Sequence, residues 1–341
     1  MTTTLAARFY EPRKPLRLEE VSLRNVGDDD LLVEIKAAGV CHSDLHVIDG
    51  LFRPKYAPIT LGHETSGLVI EKGKNVKGVE IGDRVGPEYL LKCGTCDFCL
   101  SGRDNLCENL KILSYNADGS WAGKIILPSR DVYKLPNNIG FAEGAIIICA
   151  VATSYHAMKL AGVSTGDTVM IYGLGGVGMS AVQWARIFGA SEIIAVDIEN
   201  NKLNLAKSIG ATTIINASDT DPVSEIRKSG GVDFGFEVIG LIDTVKKTIA
   251  CVKKGGKAML VGMCMDKVPI SPVYDMTGEI SLQRPLDHVR SEIPQIYKLV
   301  EQGRFSLSGL VSHKLPLKEA NEAVRILKER IGTPVRIVLE P

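Results

Sequence analysis

The sequence carries no excess of charge: 40 Lys and Arg residues balance 40 Asp and Glu residues. That leaves no electrostatic footprint for nucleic acid or an anionic membrane surface. No apolar run reads as long enough to span a bilayer. The first ten residues, Met1 to Tyr10, lack the basic start and long apolar stretch of a secretory signal. Cytoplasm is therefore the expected setting. Internal repeats and low-complexity tracts are missing too. Cysteine is not: there are eight. Cys41, Cys93, Cys96, Cys99, Cys107 and Cys149 stand in ligand-like positions. In a cytoplasmic chain such spacing points to metal rather than to disulfides.

A chain of 341 residues exceeds one ordinary core, so two domains are expected. The part up to about Leu127 is rich in Gly, Pro and short alternating runs. Leu32 to Ala37 and Gly67 to Glu71 read as strands, with turn signals such as Gly82-Asp83 between elements. From about Thr165 strand and helix patterns alternate. Strands are predicted at Thr168 to Tyr172, Glu192 to Val196, Thr213 to Ile215, Phe234 to Val238 and Ala258 to Val261. One helix buries Val177, Ala181, Trp184 and Phe188, and another covers about Lys202 to Ser208. This alternation predicts a doubly wound parallel sheet. Helices near Ile293 to Glu301 and Leu317 to Glu329, and a strand at Val335 to Leu339, close the chain.

Gly173-Leu174-Gly175-Gly176-Val177-Gly178 follows a predicted strand and opens a predicted helix. In that context the pattern reads as a dinucleotide fingerprint. Gly173 permits the turn, Gly175 admits the pyrophosphate, and Gly178 allows helix and strand to pack closely. The helix N-terminus, with Gly176 and Val177, then faces the phosphate charge. Asp197 ends the next strand. Its carboxylate accepts ribose hydroxyls and repels a 2′-phosphate, which predicts NAD rather than NADP. Lys202 is a candidate for the same ribose and is equally readable as a surface lysine.

Cys93, Cys96, Cys99 and Cys107 offer four thiolates within one short loop. Four thiolates suit a closed, structural zinc site; an iron–sulfur cluster is the alternative by spacing. Cys41, His63 and Cys149 form a second, dispersed set. Two thiolates and one imidazole leave one position of a tetrahedral zinc open for chemistry. By spacing alone, Cys149 in its apolar run reads equally well as a small hydrophobe.

Together these residues resemble the zinc-containing, medium-chain alcohol dehydrogenases. The resemblance covers essentially the whole length. It rests on Cys41-His42-Ser43-Asp44, Gly62-His63-Glu64, the four-cysteine loop, Cys149, Gly173 to Gly178, Asp197, Phe236-Glu237-Val238-Ile239-Gly240 and Arg336-Ile337-Val338-Leu339.

It implies an α/β chain: a GroES-like β-rich catalytic domain, residues 1–150 and 286–341, interrupted by a Rossmann NAD-binding domain, residues 151–285. It also implies two zinc ions per subunit, NAD, a small alcohol or aldehyde or ketone as substrate, and a homo-oligomer, commonly a tetramer. Nucleic acid and membrane are not expected partners. Cys41, His63 and Cys149 become catalytic-zinc ligands. Glu64 matches a carboxylate that coordinates zinc in some states and otherwise orients the ligands. Asp44 is expected to accept a hydrogen bond from His63.

The implied reaction is reversible hydride transfer between a primary or secondary alcohol and NAD. Zinc polarises the substrate oxygen, while Ser43 and His46 relay the proton. His42 and Arg336 match coenzyme pyrophosphate contacts, and Val261 and Met263 the nicotinamide pocket. Tyr89 and Trp121 are candidate substrate-pocket residues, or ordinary core aromatics. Residues Gln283 to Arg290 depart from the family's small-residue pattern. Arg284, His288 and Arg290 would suit an anionic substrate such as a semialdehyde acid, unless they form a charged surface loop. A polyol dehydrogenase of the same superfamily and a non-catalytic zinc- and NAD-binding paralogue are the competing readings.

Overall fold

The computed structural model describes residues 2–341. The chain divides into two compact units. One runs to Cys149 and takes up Val289–Gly303 and Leu307–Pro341; the other comprises Ala150–His288 and Arg304–Ser306.

The first unit is built around Asp30–Val40, an 11-residue strand. Val33, Ile35 and Val40 give it β-branched side chains that pack on a pleated surface, and all three are buried. This strand pairs antiparallel with Glu64–Lys72, Lys124–Pro128 and the C-terminal strand Ile337–Glu340. The result is a seven-stranded sheet, with a separate three-stranded sheet from Thr3–Phe9, Arg17–Ser22 and Ile59–Thr60. Register matters for the site. Gly39 stands opposite Glu64, and Val40 stands opposite Ile337. The residues just before Cys41 are thus fixed beside Glu64 and Arg336.

The second unit holds a six-stranded parallel sheet. Its strands are β1 (Thr168–Tyr172), β2 (Glu192–Asp197), β3 (Thr213–Asn216), β4 (Val232–Glu237), β5 (Val252–Leu260) and β6 (Ser281–Gln283). The spatial order is β3-β2-β1-β4-β5-β6, the doubly wound order of dinucleotide-binding sheets. Strands covered on both faces read as continuous apolar runs. Met170, Ile194, Val196 and Ala258 duly sit in one core with Val245 and Ile249. The helix Gly176–Phe188 buries Ala181 and Trp184 fully, while Val177 and Phe188 are only partly covered. Trp184 stacks on Phe305 at 4.2 Å and donates its indole N–H to the Val151 carbonyl.

One element escapes the sequence reading. Phe141–Ala161 is a continuous helix, long and apolar enough to cross a membrane by length and composition, and 89% of its most apolar window is buried inside the protein. The expectation that no such run exists is corrected here. A helix buried on all sides shows no 3.6-residue alternation, and Gly144, Ser154 and His156 disguise it as a broken run. Its middle turn, Ile147–Val151, is π-helical, a departure that concentrates at functional sites.

Candidate metal and coenzyme sites

Donor atoms of Cys41, His63, Glu64 and Cys149 all lie within 4.8 Å of one another. Three separate local structures deliver them. Cys41 is the N-cap of the helix His42–Ile48 and has extended backbone angles. His63 and Glu64 open the strand that begins at Glu64. Just before them Gly62 has φ +88, and a Cβ there would overlap the Trp121 indole. Cys149 projects from the π-helical turn.

Asp44 ties two of these pieces together. Its Oδ2 accepts from the Cys41 N–H at 3.0 Å, and its Oδ1 accepts from the Gly62 N–H at 3.3 Å. Oδ1 also faces His63 Nδ1 at 3.5 Å. That leaves Nε2 of His63 as the nitrogen turned towards the donor cluster, 3.5 Å from Ser43 Oγ.

The electrostatics suit a cation. Cys41 is held well below the usual thiol range, first by a hydrogen bond from Cys149, with Arg336 and His63 adding to it against burial. Cys149 is pushed well up by the Cys41 thiolate and by burial. Burial also raises Glu64 to about 7, against the pull of Arg336. Neither Glu64 oxygen has a hydrogen-bond partner among the described residues; the Arg336 guanidinium stands 3.3 Å from Oε1, and the donor atoms of Cys41, His63 and Cys149 lie within 4.8 Å. Two thiols, one imidazole and one carboxylate packed so closely, with two orphaned oxygens, fit a bound zinc.

The second cluster is Cys93, Cys96, Cys99 and Cys107, again with all donor atoms within 4.8 Å. Cys93 Sγ accepts the Thr95 and Cys96 N–H groups at 3.4 Å each, and Cys107 Sγ accepts the Cys93 N–H at 3.3 Å. The Thr95 and Cys96 amides bring Cys93 down to about 5, as befits a thiolate. Four sulfurs at this spacing fit a closed tetrahedral ion.

In the second unit, Gly173 to Gly178 form the turn from β1 into the helix Gly176–Phe188. A Cβ at Gly178 would overlap the Gly173 carbonyl, whereas the space around Gly175 is open. An open position at the head of a helix is what a pyrophosphate needs. Asp197 ends β2, and its Oδ2 accepts from Leu174 N–H at 2.7 Å while Oδ1 accepts from Ile198 and Glu199. The carboxylate is thereby fixed beside the glycine turn. Lys202 is partly buried in the helix Asn200–Ile209. Val261 and Met263 follow β5, where Val261 donates to the Glu237 carbonyl at 2.8 Å.

Other expected residues stand as follows. His42 is exposed at the start of its helix, and His46 is half-buried in the last turn. Burial lowers the His46 pKa, with Cys41 and Asp49 opposing. The Tyr89 ring lies 5.0 Å from the His63 ring.

Three expectations meet specific surroundings. Trp121 is fully buried behind Gly62 and donates its Nε1–H to the Gly39 carbonyl at 3.0 Å. It supports the ligand loop and offers a substrate no face. Arg336, expected at the coenzyme, is buried with its guanidinium 3.3 Å from Glu64 Oε1.

The charged residues of the segment Gln283 to Arg290 have separate surroundings. Arg290 is paired with Asp131 at 2.5 Å and its N–H donates to Asp104 at 3.0 Å. His288 is fully buried, and Arg284 is exposed. Conversely, the sequence conceals the buried Lys92–Glu88 pair at 3.1 Å, because single charged residues in apolar runs look like surface.

Comparison with known proteins agrees with this geometry. The alcohol dehydrogenase GroES-like domain family matches residues 27–137, and the zinc-binding dehydrogenase family matches residues 176–302. An alcohol dehydrogenase of Geobacillus stearothermophilus is 35% identical over 98% of this chain and 99% of its own. Among solved structures, the alcohol dehydrogenase of Aeropyrum pernix superposes with a TM-score of 0.91 at 33% identity, covering 99% of this chain and 100% of that one. A zinc-binding dehydrogenase from Sinorhizobium meliloti, bound to NADP, has a TM-score of 0.90 at 29% identity over 100% of both chains. With two zinc-fitting donor sets and matches that run through both units, the chain belongs to the zinc-containing, medium-chain alcohol dehydrogenase family.

Proposed function

We propose that this protein is a zinc- and NAD-dependent alcohol dehydrogenase, interconverting a primary or secondary alcohol and its aldehyde or ketone. The observation that carries the reading is the convergence of Cys41, His63 and Cys149, with Glu64, within 4.8 Å. A zinc held by these side chains supplies Lewis acidity towards a substrate oxygen. The coenzyme, its pyrophosphate held at the glycine turn, would supply the hydride chemistry through its nicotinamide.

The chain's own residues do the rest. Asp44 keeps His63 in the tautomer that turns Nε2 to the metal. Glu64, neutralised by Arg336, leaves one position for substrate. Ser43 accepts the substrate's hydroxyl proton while releasing its own, and His46, one helical turn further on, receives the relayed proton and delivers it to water. Imidazole suits that task because it titrates near neutrality. A neutral alcohol or carbonyl is favoured over an anionic one, because Arg290 is already committed to Asp131.

NAD rather than NADP follows from Asp197: a carboxylate fixed by three backbone N–H groups repels a 2′-phosphate. The Sinorhizobium relative bound to NADP makes this preference the point to test. Asp197→Gly should lose most of the discrimination between the two coenzymes.

The decisive experiment is a metal assay on purified protein, combined with NAD reduction across primary, secondary and polyol alcohols. About two zinc ions per chain with turnover on simple alcohols is the expected result. One zinc and no turnover would overturn the proposal in favour of a binding protein.

A further inference from the structure

The coenzyme unit contains one buried carboxylate that the reaction above leaves unused. Glu237 is the last residue of β4 and is fully buried. Its Oε1 accepts three hydrogen bonds: from Ile239 N–H at 2.9 Å, Gly240 N–H at 2.8 Å and Thr244 Oγ1–H at 2.7 Å. Its Oε2 has no hydrogen-bond partner among the described residues. The main-chain carbonyl of the same residue accepts from Val261 N–H at 2.8 Å and Gly262 N–H at 3.0 Å.

One residue therefore ties two loops. The side chain turns residues 239–244 back onto the strand end, and the backbone holds residues 261–262 beside it. A third loop is joined through packing. Val238 N–H donates to the Tyr172 carbonyl at 3.0 Å, and the Val238 and Ile239 side chains lie against Gly173 so closely that a Cβ there would meet Ile239 Cγ1 at 2.5 Å. A Cβ at Gly262 would meet Glu237 Oε2 at 2.6 Å.

These loops follow β1, β4 and β5. β1 and β4 are the neighbours at which the strand order reverses, and the crevice at that switch point is where open α/β sheets bind ligands. Burial holds the Glu237 carboxyl above its usual range, against the three donors. A buried acid in this state is costly unless the contacts it organises are needed.

We infer that Glu237 is a positioning residue of the coenzyme site, pre-forming the crevice by clamping the loops after β4 and β5 against the glycine turn. The inference rests on the coenzyme reading above. A pre-formed crevice binds its ligand without first ordering loops, so loss of the clamp weakens coenzyme binding and leaves the later chemistry intact.

The test uses the full-length, zinc-loaded protein and NADH, followed by fluorescence titration and steady-state kinetics. Glu237→Ala leaves three donors unsatisfied. The expected result is a Kd for NADH raised about tenfold or more and KM for NAD raised with it, while kcat at saturating NAD stays within about threefold and zinc content is unchanged. Glu237→Gln, which keeps an acceptor oxygen for the same donors, should restore most of the affinity. Unchanged NADH affinity in Glu237→Ala overturns the inference. So does a fall in kcat at saturating NAD that matches the fall in kcat/KM. If Glu237→Ala does not fold, Thr244→Val removes one of the three donors and decides: raised KM for NAD at unchanged kcat supports the clamp, and unchanged KM overturns it. Failure of the wild-type protein to bind NADH would instead overturn the coenzyme reading and this inference with it.

Discussion

Asp44 Oδ1 stands 3.5 Å from His63 Nδ1 while the same carboxylate accepts the backbone N–H of Cys41 at 3.0 Å. One buried side chain thus orients two of the proposed metal ligands, which are distant in sequence. Asp44→Asn keeps the volume but loses the negative charge and one of the two acceptor oxygens, so it cannot hold the Cys41 N–H, the Gly62 N–H and the imidazole together. Zinc affinity or turnover should drop about 10–100-fold. Zinc retention during dialysis against a graded chelator measures this, and wild-type retention with wild-type turnover would remove Asp44 from the role.

His46 governs the expected pH profile. Burial lowers its pKa from 6.5, with the Cys41 and Asp49 charges opposing. It accepts protons only when neutral, so alcohol oxidation should rise as pH climbs through that lowered pKa and level off above it. His46→Gln should slow turnover by roughly 10–100-fold, the lower range of general-base effects, and abolish the rising limb. An unchanged profile in the variant would count against the relay.

The four-cysteine loop should be separable from catalysis. Cys99→Ser should reduce zinc from about two ions per chain to about one. Hydrogen exchange should accelerate over residues 93–107, because the loop has little core of its own: among its residues only Asp104, Asn105 and Cys107 are buried. Loss of both zinc ions together would show that the two clusters are not independent.

Asp131 predicts a stability effect with a definite sign. Burial, outweighing Arg290 and Arg130, pushes its carboxyl up to about 6 from 3.8. A folded pKa above the unfolded one gives stability that is fully present below the unfolded value and is lost as pH rises through the folded value. Relative to Asp131→Asn, the wild-type protein should lose roughly 1–3 kcal/mol between about pH 4 and pH 7. Urea midpoints at the two pH values read this difference. A gap that widens in favour of the wild type at the higher pH would show that the Arg290 pair, not burial, dominates.

The parallel sheet was legible because β1, β2, β4 and β5 are apolar runs with turn signals between them, and because Gly173 to Gly178 has a fixed place between strand and helix. The helix Phe141–Ala161 was not, since burial on every side erases periodicity. Arg336 and Trp121 were legible as motif residues but not in their contacts. Their partners, Glu64, Gly39 and Gly62, lie far away in sequence and meet them only through strand register.

By itself the sequence determined which donors are available: thiolates in two groups, one imidazole between them, and glycines where a phosphate must approach. Those are chemical properties of residue types and short spacings, and they survive without a fold. Only the tertiary structure decided which charges face which. It turned Arg336 inward to Glu64, spent Arg290 on Asp131, and left Glu237 tying two loops together. Long-range strand pairing and burial set those choices, since a charge removed from water must find whatever partner the register brings within reach.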